Sequence, residues 1–528
     1  MNLYINFFLL IMLACLPFQN SWSHSTLHTS EVIENVKVAP PGIIVVFGAT
    51  GDLTARKLMP SIYHLASSGY LSDHTAMVGV SRIKQSHEEF RDAMKLSVNQ
   101  YSKQNSDIIW PQLEKKLFYN EADLSDDEGY ENLKVLLADI DKNMGTQGNR
   151  VFYLAIPASY FSVVIEKLSK HGLIYDSGDE KWSRVVIEKP FGRDLASAIE
   201  LNREVSQCLS EDQIFLMDHY LAKEGVQNLF SFRLENPLFE PLWNHRYIDN
   251  IQISLSEDIG IGSRANFWEE TGALRDLFQN HLMQLLAIVA MEPPTDLDPQ
   301  HIHNEKIKVL NSIRPFPVGE IDRYIVRGQY GPGIIKGENV LGYKQEKDVP
   351  QDSSAETFVS AKIFIDNDRW MGVPFYIRGG KRLAKQTTEV VVNFKQSNLG
   401  SSTNANALFF RIQPNAGIYL KMSAKVPVLD SVGHTQPVVF GYQPDQYFKT
   451  NSSDAYEKLL YDAFKGNHHL FVQSDEQLAA WRLLTPVLDQ WKLSSGDLEE
   501  YESGSWGPSR SDFLLNENGH SWQILGDQ

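Results

Sequence analysis

Ile43-Ile44-Val45-Val46-Phe47-Gly48-Ala49-Thr50-Gly51-Asp52-Leu53-Thr54 is the stretch that decides the fold class. An apolar run without alternation reads as a strand buried on both faces, the pattern of a parallel sheet. The run stops at Gly48, and Gly48 and Gly51 frame a turn into a helical pattern over 56–67. Glycines at a strand-to-helix turn let the backbone approach a pyrophosphate, and the helix N-terminus favours its negative charge. Gly48, Ala49, Thr50, Gly51, Asp52 and Leu53 are therefore candidate dinucleotide contacts. Thr54 stands where the fingerprint usually has its third glycine, and such turns also occur without a nucleotide, so the following strand has to be weighed with this one.

Working outward, strand-like runs at 76–80, 151–156 and 185–187 alternate with helical patterns such as 56–67 and 87–96. That alternation predicts a doubly wound, Rossmann-like sheet. The second strand ends Val78-Gly79-Val80-Ser81-Arg82. A site for NAD usually carries Asp or Glu there, for the ribose hydroxyls. Here no carboxylate follows, and the Arg82 guanidinium can hold a 2′-phosphate bidentately, so NADP is the expected cofactor. Arg56 and Lys57 add positive charge near the same turn; the competing reading makes all three solvated surface cations.

Beyond about residue 225 the texture changes. Runs at 250–255, 358–365, 389–394, 407–412 and 417–422 predict a large, mostly antiparallel sheet, and helical patterns lie at 273–291, 455–464 and 477–491. The fold class expected is thus α/β plus α+β. Residues 41–220 would form the dinucleotide-binding domain, 221–515 the substrate-binding and dimerisation domain, and 516–528 a tail. The Ser- and Asn-rich stretch 396–406 reads as loop, and the sequence after Pro508 as weakly ordered.

The chain has 528 residues, 42% of them hydrophobic, and a net charge of −17. Length and core composition suit a folded enzyme of two or three domains. The acidic balance argues against nucleic acid or an anionic membrane as partner, so any anion site must be built locally from a few placed cations. Only two cysteines are present, Cys15 and Cys208, which excludes a disulfide framework. Residues 7–18, FFLLIMLACLPF, have the length of a signal-peptide apolar core, but no Lys or Arg precedes them. Export and an extended or mis-assigned start both fit. No later run is long enough to span a bilayer, so no stable membrane association is expected.

Two constellations carry chemistry. Asp218-His219-Tyr220-Leu221-Ala222-Lys223-Glu224 packs acid, imidazole, phenol and ammonium into one segment. Read as a helix, it sets His219 and Lys223 at i and i+4 on one face, two donors suited to a phosphate. An amphipathic surface helix with a chance histidine is the plainer explanation. The second, LRDLFQNHLMQLL over 274–286, is apolar enough to be a buried helix, with Asp276, Asn280 and Gln284 as a polar stripe and His281 beside it. Buried without partners, such groups would cost about 1–3 kcal/mol each, so they face a polar core network or a ligand.

The chain resembles the glucose-6-phosphate dehydrogenase family. GATGDLTARKL (48–58), FYLAIP (152–157), IEKPFGRDL (187–195), DHYLAKE (218–224), RDLFQNHL (275–282), VPFYIRGGKRL (373–383), RIQPNAGIYLKM (411–422), DAYEKLLYDAFKGN (454–467) and GSWGP (504–508) match in order, from about residue 43 to 510. The resemblance implies oxidation of glucose 6-phosphate to 6-phosphoglucono-1,5-lactone with reduction of NADP, the first step of the oxidative pentose phosphate pathway. It implies His281 as general base and Asp218 as its carboxylate partner. By the same carry-over, His219, Tyr220 and Lys223 bind the phosphate, Glu257, Asp276 and Lys381 the sugar, and Lys189 lies between coenzyme and sugar, with Pro190 at the family's hinge. No metal is expected. A homodimer or homotetramer through the large sheet and a cytoplasmic location follow from the resemblance.

The chain departs from the family pattern in places. Ala222 stands for the usual Gly, Glu269 for the usual Asp after Phe267-Trp268, and Gln386 where a second basic residue is common, with Lys385 one place earlier. Two rivals compete. A different NADP-dependent sugar oxidoreductase with a Glu-Lys-Pro run would need no phosphate clamp, which His219 and Lys223 argue against. A catalytically dead relative would not be expected to keep Asp218, His281, Lys189 and Lys223 together.

Overall fold

The computed structural model describes residues 37–102, 109–176, 180–396, 406–427, 435–444, 453–493 and 498–524. The signal-like segment with Cys15, nearly all of the Ser- and Asn-rich loop, and the last residues of the tail lie outside the described residues.

The first run forms β1 (Gly42–Phe47), buried at every position. β2 (Thr75–Ser81), β3 (Leu117–Glu121), β4 (Arg150–Leu154), β5 (Ser183–Ile187) and β6 (Ile214–Met217) follow it in chain order. In the sheet they lie β6-β5-β4-β1-β2-β3, all parallel. The chain winds out from β1 to β3 and restarts at β4 on the other side of β1. The C-terminal ends of β1 and β4 therefore border the crevice where an open α/β sheet takes its ligand.

The second sheet has ten strands. Its centre is Ile248–Ser256, flanked by Thr387–Phe394 antiparallel and Phe375–Gly380 parallel. One further join, Leu498–Ser503 on Ile325–Ile335, is parallel and the rest are antiparallel. The expected fold class is thus observed. One face of this sheet is covered by Glu224–Glu235 and by the long helical segment Leu274–Ala290, whose apolar side chains are fully enclosed. Late in the chain, Ala455–Lys465 packs Leu459, Leu460 and Phe464 into the core under β1, and Phe471–Val472 pairs with β6. A late segment therefore completes the first layer.

Weak order after Pro508 is not what the structure has. Arg510–Asn516 is helical with Leu514 and Leu515 buried, and the Trp522 ring lies 4.0 Å from the Arg378 guanidinium, with the Trp506 ring at 4.9 Å. An aromatic face over a buried guanidinium anchors the chain end.

Candidate active site

At the nucleotide turn, Gly48 has φ 86°, and a Cβ there would meet the Ala155 carbonyl at 2.1 Å. Glycine is the residue that this crossing of β1 and β4 admits. Thr54, the departure from the fingerprint, is fully buried and its hydroxyl donates to the Gly48 carbonyl at 3.1 Å, closing the turn that a glycine would only permit. Thr50 and Ser81 share a hydrogen bond of 2.9 Å, which ties the turn to the end of β2. Arg82 follows, exposed. Asp52 and Arg56 are exposed and paired at 3.6 Å. An open backbone turn and a helix start fit the pyrophosphate of a nicotinamide dinucleotide.

A cleft of about 630 Å³ opens beside this turn. Lys189, His219, Tyr220, Lys223, Glu257, Asp276, His281 and Lys381 all line it. Asp218 lies beneath them, buried against His281. The parallel sheet delivers Lys189 two residues after β5 and Asp218 directly after β6; the second domain delivers His281, Asp276, Glu257 and Lys381.

Its chemical centre is His281, on a helical stretch Leu274–Leu282 wound as a π-helix. Such windings recur at functional sites because they re-aim side chains. Nδ1 meets Asp218 Oδ1 at 2.5 Å, and Lys189 Nζ lies 2.9 Å from Nε2. Lys189 also donates to the Asp276 carbonyl at 2.8 Å and carboxylate at 2.9 Å. An ammonium can only donate, so Nε2 is an acceptor and Nδ1–H points at Asp218. Asp218 Oδ2 is buried without a partner, and Oδ1 also accepts the Tyr220 N–H at 2.9 Å. The Tyr220 ring stacks on the imidazole at 4.2 Å.

Burial pulls the His281 pKa below its ordinary 6.5, against Asp218 and with the help of Lys189. Burial alone would raise Asp218, but its interaction and hydrogen bond with His281 and the Tyr220 N–H hold it well below the carboxylate range. Asp276 is likewise held at about 2 against burial, by Lys189 and then Lys381. The pair is a neutral imidazole oriented by an ionised carboxylate, an arrangement that can act as a general base once Lys189 leaves Nε2. The acid limb of kcat/KM is expected to have its midpoint below 6.5, because the free base must be unprotonated. Asp218→Asn removes the charge that opposes burial, so the acid limb of kcat/KM should move lower still; a limb that moves up would contradict the pairing.

One end of the cleft is cationic. Lys223 Nζ lies 4.6 Å over the Tyr220 ring and bonds Gln413, and Lys57 pairs with Asp454 at 3.1 Å. His219 stacks on Tyr456 at 5.9 Å and meets the His281 ring edge-on at 4.8 Å. Burial holds His219 well below 6.5, with His281 and Lys189 adding to it, so it is neutral. At the other end Lys381 pairs with Glu257 and lies 5.0 Å over the Trp268 ring.

The helix expected over 218–224 is absent. Asp218 to Lys223 is a turn, and a helix begins at Glu224 with Lys223 as its N-cap. His219 and Lys223 still reach one cleft, by turn geometry. The polar stripe divides: Asp276 faces the cleft, whereas Gln284 donates to buried Glu476 at 3.0 Å, within a network that includes His303 and Lys306. Glu269, a departure from the family pattern, accepts from Tyr343 at 2.6 Å and Ser353 at 2.7 Å. Gln413, Asp454 and Tyr456 were not singled out by sequence reasoning, although they stand in RIQPN and DAYEKLL; Lys57 was weighed only for the coenzyme.

The family models for the glucose-6-phosphate dehydrogenase NAD binding domain and C-terminal domain match residues 45–228 and 230–523. The chain is 48% identical over 506 residues to glucose-6-phosphate 1-dehydrogenase of Chlamydia pneumoniae, covering 93% of this chain and 98% of that protein. It is 42% identical over 492 residues to the Bacillus subtilis enzyme, covering 92% and 99%. Among solved structures, a glucose-6-phosphate dehydrogenase in complex with its substrate glucose-6-phosphate superposes with a TM-score of 0.84 at 33% identity, covering 92% of this chain and 99% of that one. The Mycobacterium avium enzyme superposes with a TM-score of 0.79 at 32% identity, over 93% and 100%. The chain belongs to the glucose-6-phosphate dehydrogenase family, and is an oxidoreductase that joins a nicotinamide-dinucleotide domain to that family's C-terminal domain.

Proposed function

We propose that this protein oxidises C1 of glucose 6-phosphate with NADP, giving 6-phosphoglucono-1,5-lactone and so opening the oxidative pentose phosphate pathway. The observation that carries the reading is the placing of His281. Its Nδ1 is held by Asp218 and its Nε2 faces a cleft whose far end is cationic. Tyr220 touches both functions, its ring 4.2 Å from the imidazole and 4.6 Å from the Lys223 ammonium, so a sugar with its hydroxyl at one end and its phosphate at the other can meet base and cation together. When bound, the nicotinamide accepts the hydride from C1. His281 Nε2 takes the C1 hydroxyl proton, and the Asp218 carboxylate stabilises the resulting imidazolium. Lys223, His219 and Tyr220 bind the phosphate, with Lys57 beside them. Glu257, Lys381 and Asp276 read the ring hydroxyls, and Lys189 must leave Nε2 as the sugar enters. Absorbance at the nicotinamide band, with glucose 6-phosphate, glucose and no sugar, tests this; no signal, or an equal one with unphosphorylated glucose, refutes it.

NADP rather than NAD follows from Arg82. Its replacement by alanine is expected to raise KM for NADP by about tenfold or more, the size of one lost charge-assisted contact, and to leave KM for NAD unchanged. Equal losses for both coenzymes would make Arg82 structural.

The protein assembles as a homodimer or homotetramer through the large sheet. Supporting this, Met422 and, opposite it, Val438, with Phe440 two residues on, expose apolar side chains on one face at its edge. Sedimentation velocity decides the size. The cytoplasm is the proposed location, where NADP is available, with export through the N-terminal segment as the rival; among the described residues no helix is long and apolar enough to cross a membrane. N-terminal sequencing of the mature protein separates the two.

A further inference from the structure

The helix that carries Asp276 and His281 begins against a residue from far along the chain. Gly272, just before it, has φ 62°, and a Cβ there would come within 2.3 Å of Glu356 Oε1. The glycine leaves room for the Glu356 carboxylate, 6% exposed, to accept the Leu274 N–H at 3.0 Å. First-turn amides have no partner within their own helix, and a carboxylate at that end also suits the helix dipole. The Glu356 carbonyl accepts the Ala273 N–H at 2.8 Å and the Trp268 indole N–H at 3.3 Å. One side chain and one carbonyl thus hold the whole entry to the helix.

The same segment is locked to the opposite wall of the cleft. The Thr357 carbonyl accepts the Lys381 N–H at 2.9 Å. Tyr501 donates to the Lys381 carbonyl at 2.7 Å and shares a 3.0 Å hydrogen bond with the Thr357 hydroxyl. Trp268, tethered to Glu356, is the ring beneath the Lys381 ammonium. The base helix and the Lys381–Glu257 pair are therefore referenced to one buried point. A shift of about 1 Å between base and reacting hydroxyl can cost on the order of 10²-fold in rate, so such a reference bears on turnover.

We propose that Glu356 is a positioning residue for the reaction: by capping the entry of the Leu274–Leu282 helix it fixes where His281 Nε2 meets the C1 hydroxyl. This rests on His281 being the base.

The test uses the full-length protein. Glu356→Met keeps the volume and removes the acceptor; Glu356→Gln keeps an acceptor oxygen. Glu356→Met is expected to lower kcat tenfold or more, with KM for NADP within twofold of wild type. Glu356→Gln is expected to restore kcat to within threefold. In a His281→Asn background, Glu356→Met should change the residual rate by less than twofold, because a residue acting only through the base has nothing left to position. A kcat for Glu356→Met within twofold of wild type overturns the proposal. So does an equal loss in both backgrounds, the sign of general structural damage. Should Glu356→Met fail to fold, Glu356→Asp, one methylene shorter, carries the same expectations. Wild-type turnover in His281→Asn alone would instead overturn the base assignment, and is seen separately.

Discussion

His281→Asn is expected to lower kcat by about 10²–10⁴-fold, the usual worth of a general base, with little change in KM for glucose 6-phosphate. Asparagine is the informative replacement because its amide nitrogen can take the place of Nδ1 and still donate to Asp218. That matters because Asp218 is buried, its Oδ2 already lacks a partner, and His281 is the side chain that pairs with it. An alanine would leave the buried carboxylate without its side-chain hydrogen bond, a change costing about 1–3 kcal/mol, and would mix lost stability with lost chemistry. What asparagine removes is Nε2, the atom that faces the cleft beside Lys189. The phosphate contacts remain, so substrate still binds. Measured kcat within a few-fold of wild type would mean that the proton leaves C1 by another route.

Much of this arrangement could be read from the chain, for identifiable reasons. β1 was legible because a strand buried on both faces must be continuously apolar, and its end at Gly48 because the crossing of β4 leaves no room for a Cβ. The end of β2 was legible because its apolar run stops at Ser81, which leaves Arg82 exposed just after it. The conformation of 218–223 was not. Its polar and apolar residues space themselves as on a helix, but the Asp218 side chain accepts the Tyr220 N–H at 2.9 Å, and such a local bond competes with helix formation. The order of the chain end was hidden because Trp522 finds its partner at Arg378, far back in the sequence. Gln413 meets Lys223, Tyr456 meets His219 and Lys57 lies over the Tyr456 ring through the fold alone, so no local pattern announces them. The π-winding of 274–282 is equally silent in sequence, although it sets which way His281 points.

Lys223→Ala is expected to cut kcat/KM for glucose 6-phosphate by about 10- to 150-fold, the range of one hydrogen bond to a charged group worth about 1.5–3 kcal/mol. Burial lowers the Lys223 pKa, against Asp454 and with the help of Lys57. An ammonium so placed gains from an incoming dianion, because Coulomb attraction is stronger where burial lowers the local dielectric. Its present acceptor is the neutral Gln413 amide, which a phosphate oxygen can displace or join. The effect should not stop at affinity. Tyr220 contacts both functions, its ring 4.6 Å from the Lys223 ammonium and 4.2 Å from the His281 ring. A phosphate held at one edge therefore sets where C1 falls relative to Nε2, and losing that anchor should reduce kcat as well as raise KM. Unphosphorylated glucose, which never used the anchor, should be turned over at its low rate almost unchanged. The ratio of the two effects is the decisive quantity. A loss confined to the phosphorylated sugar makes Lys223 the reader of the phosphate. An equal loss for both sugars would place its role in holding Tyr220 and the base, and the cationic end of the cleft would need another explanation.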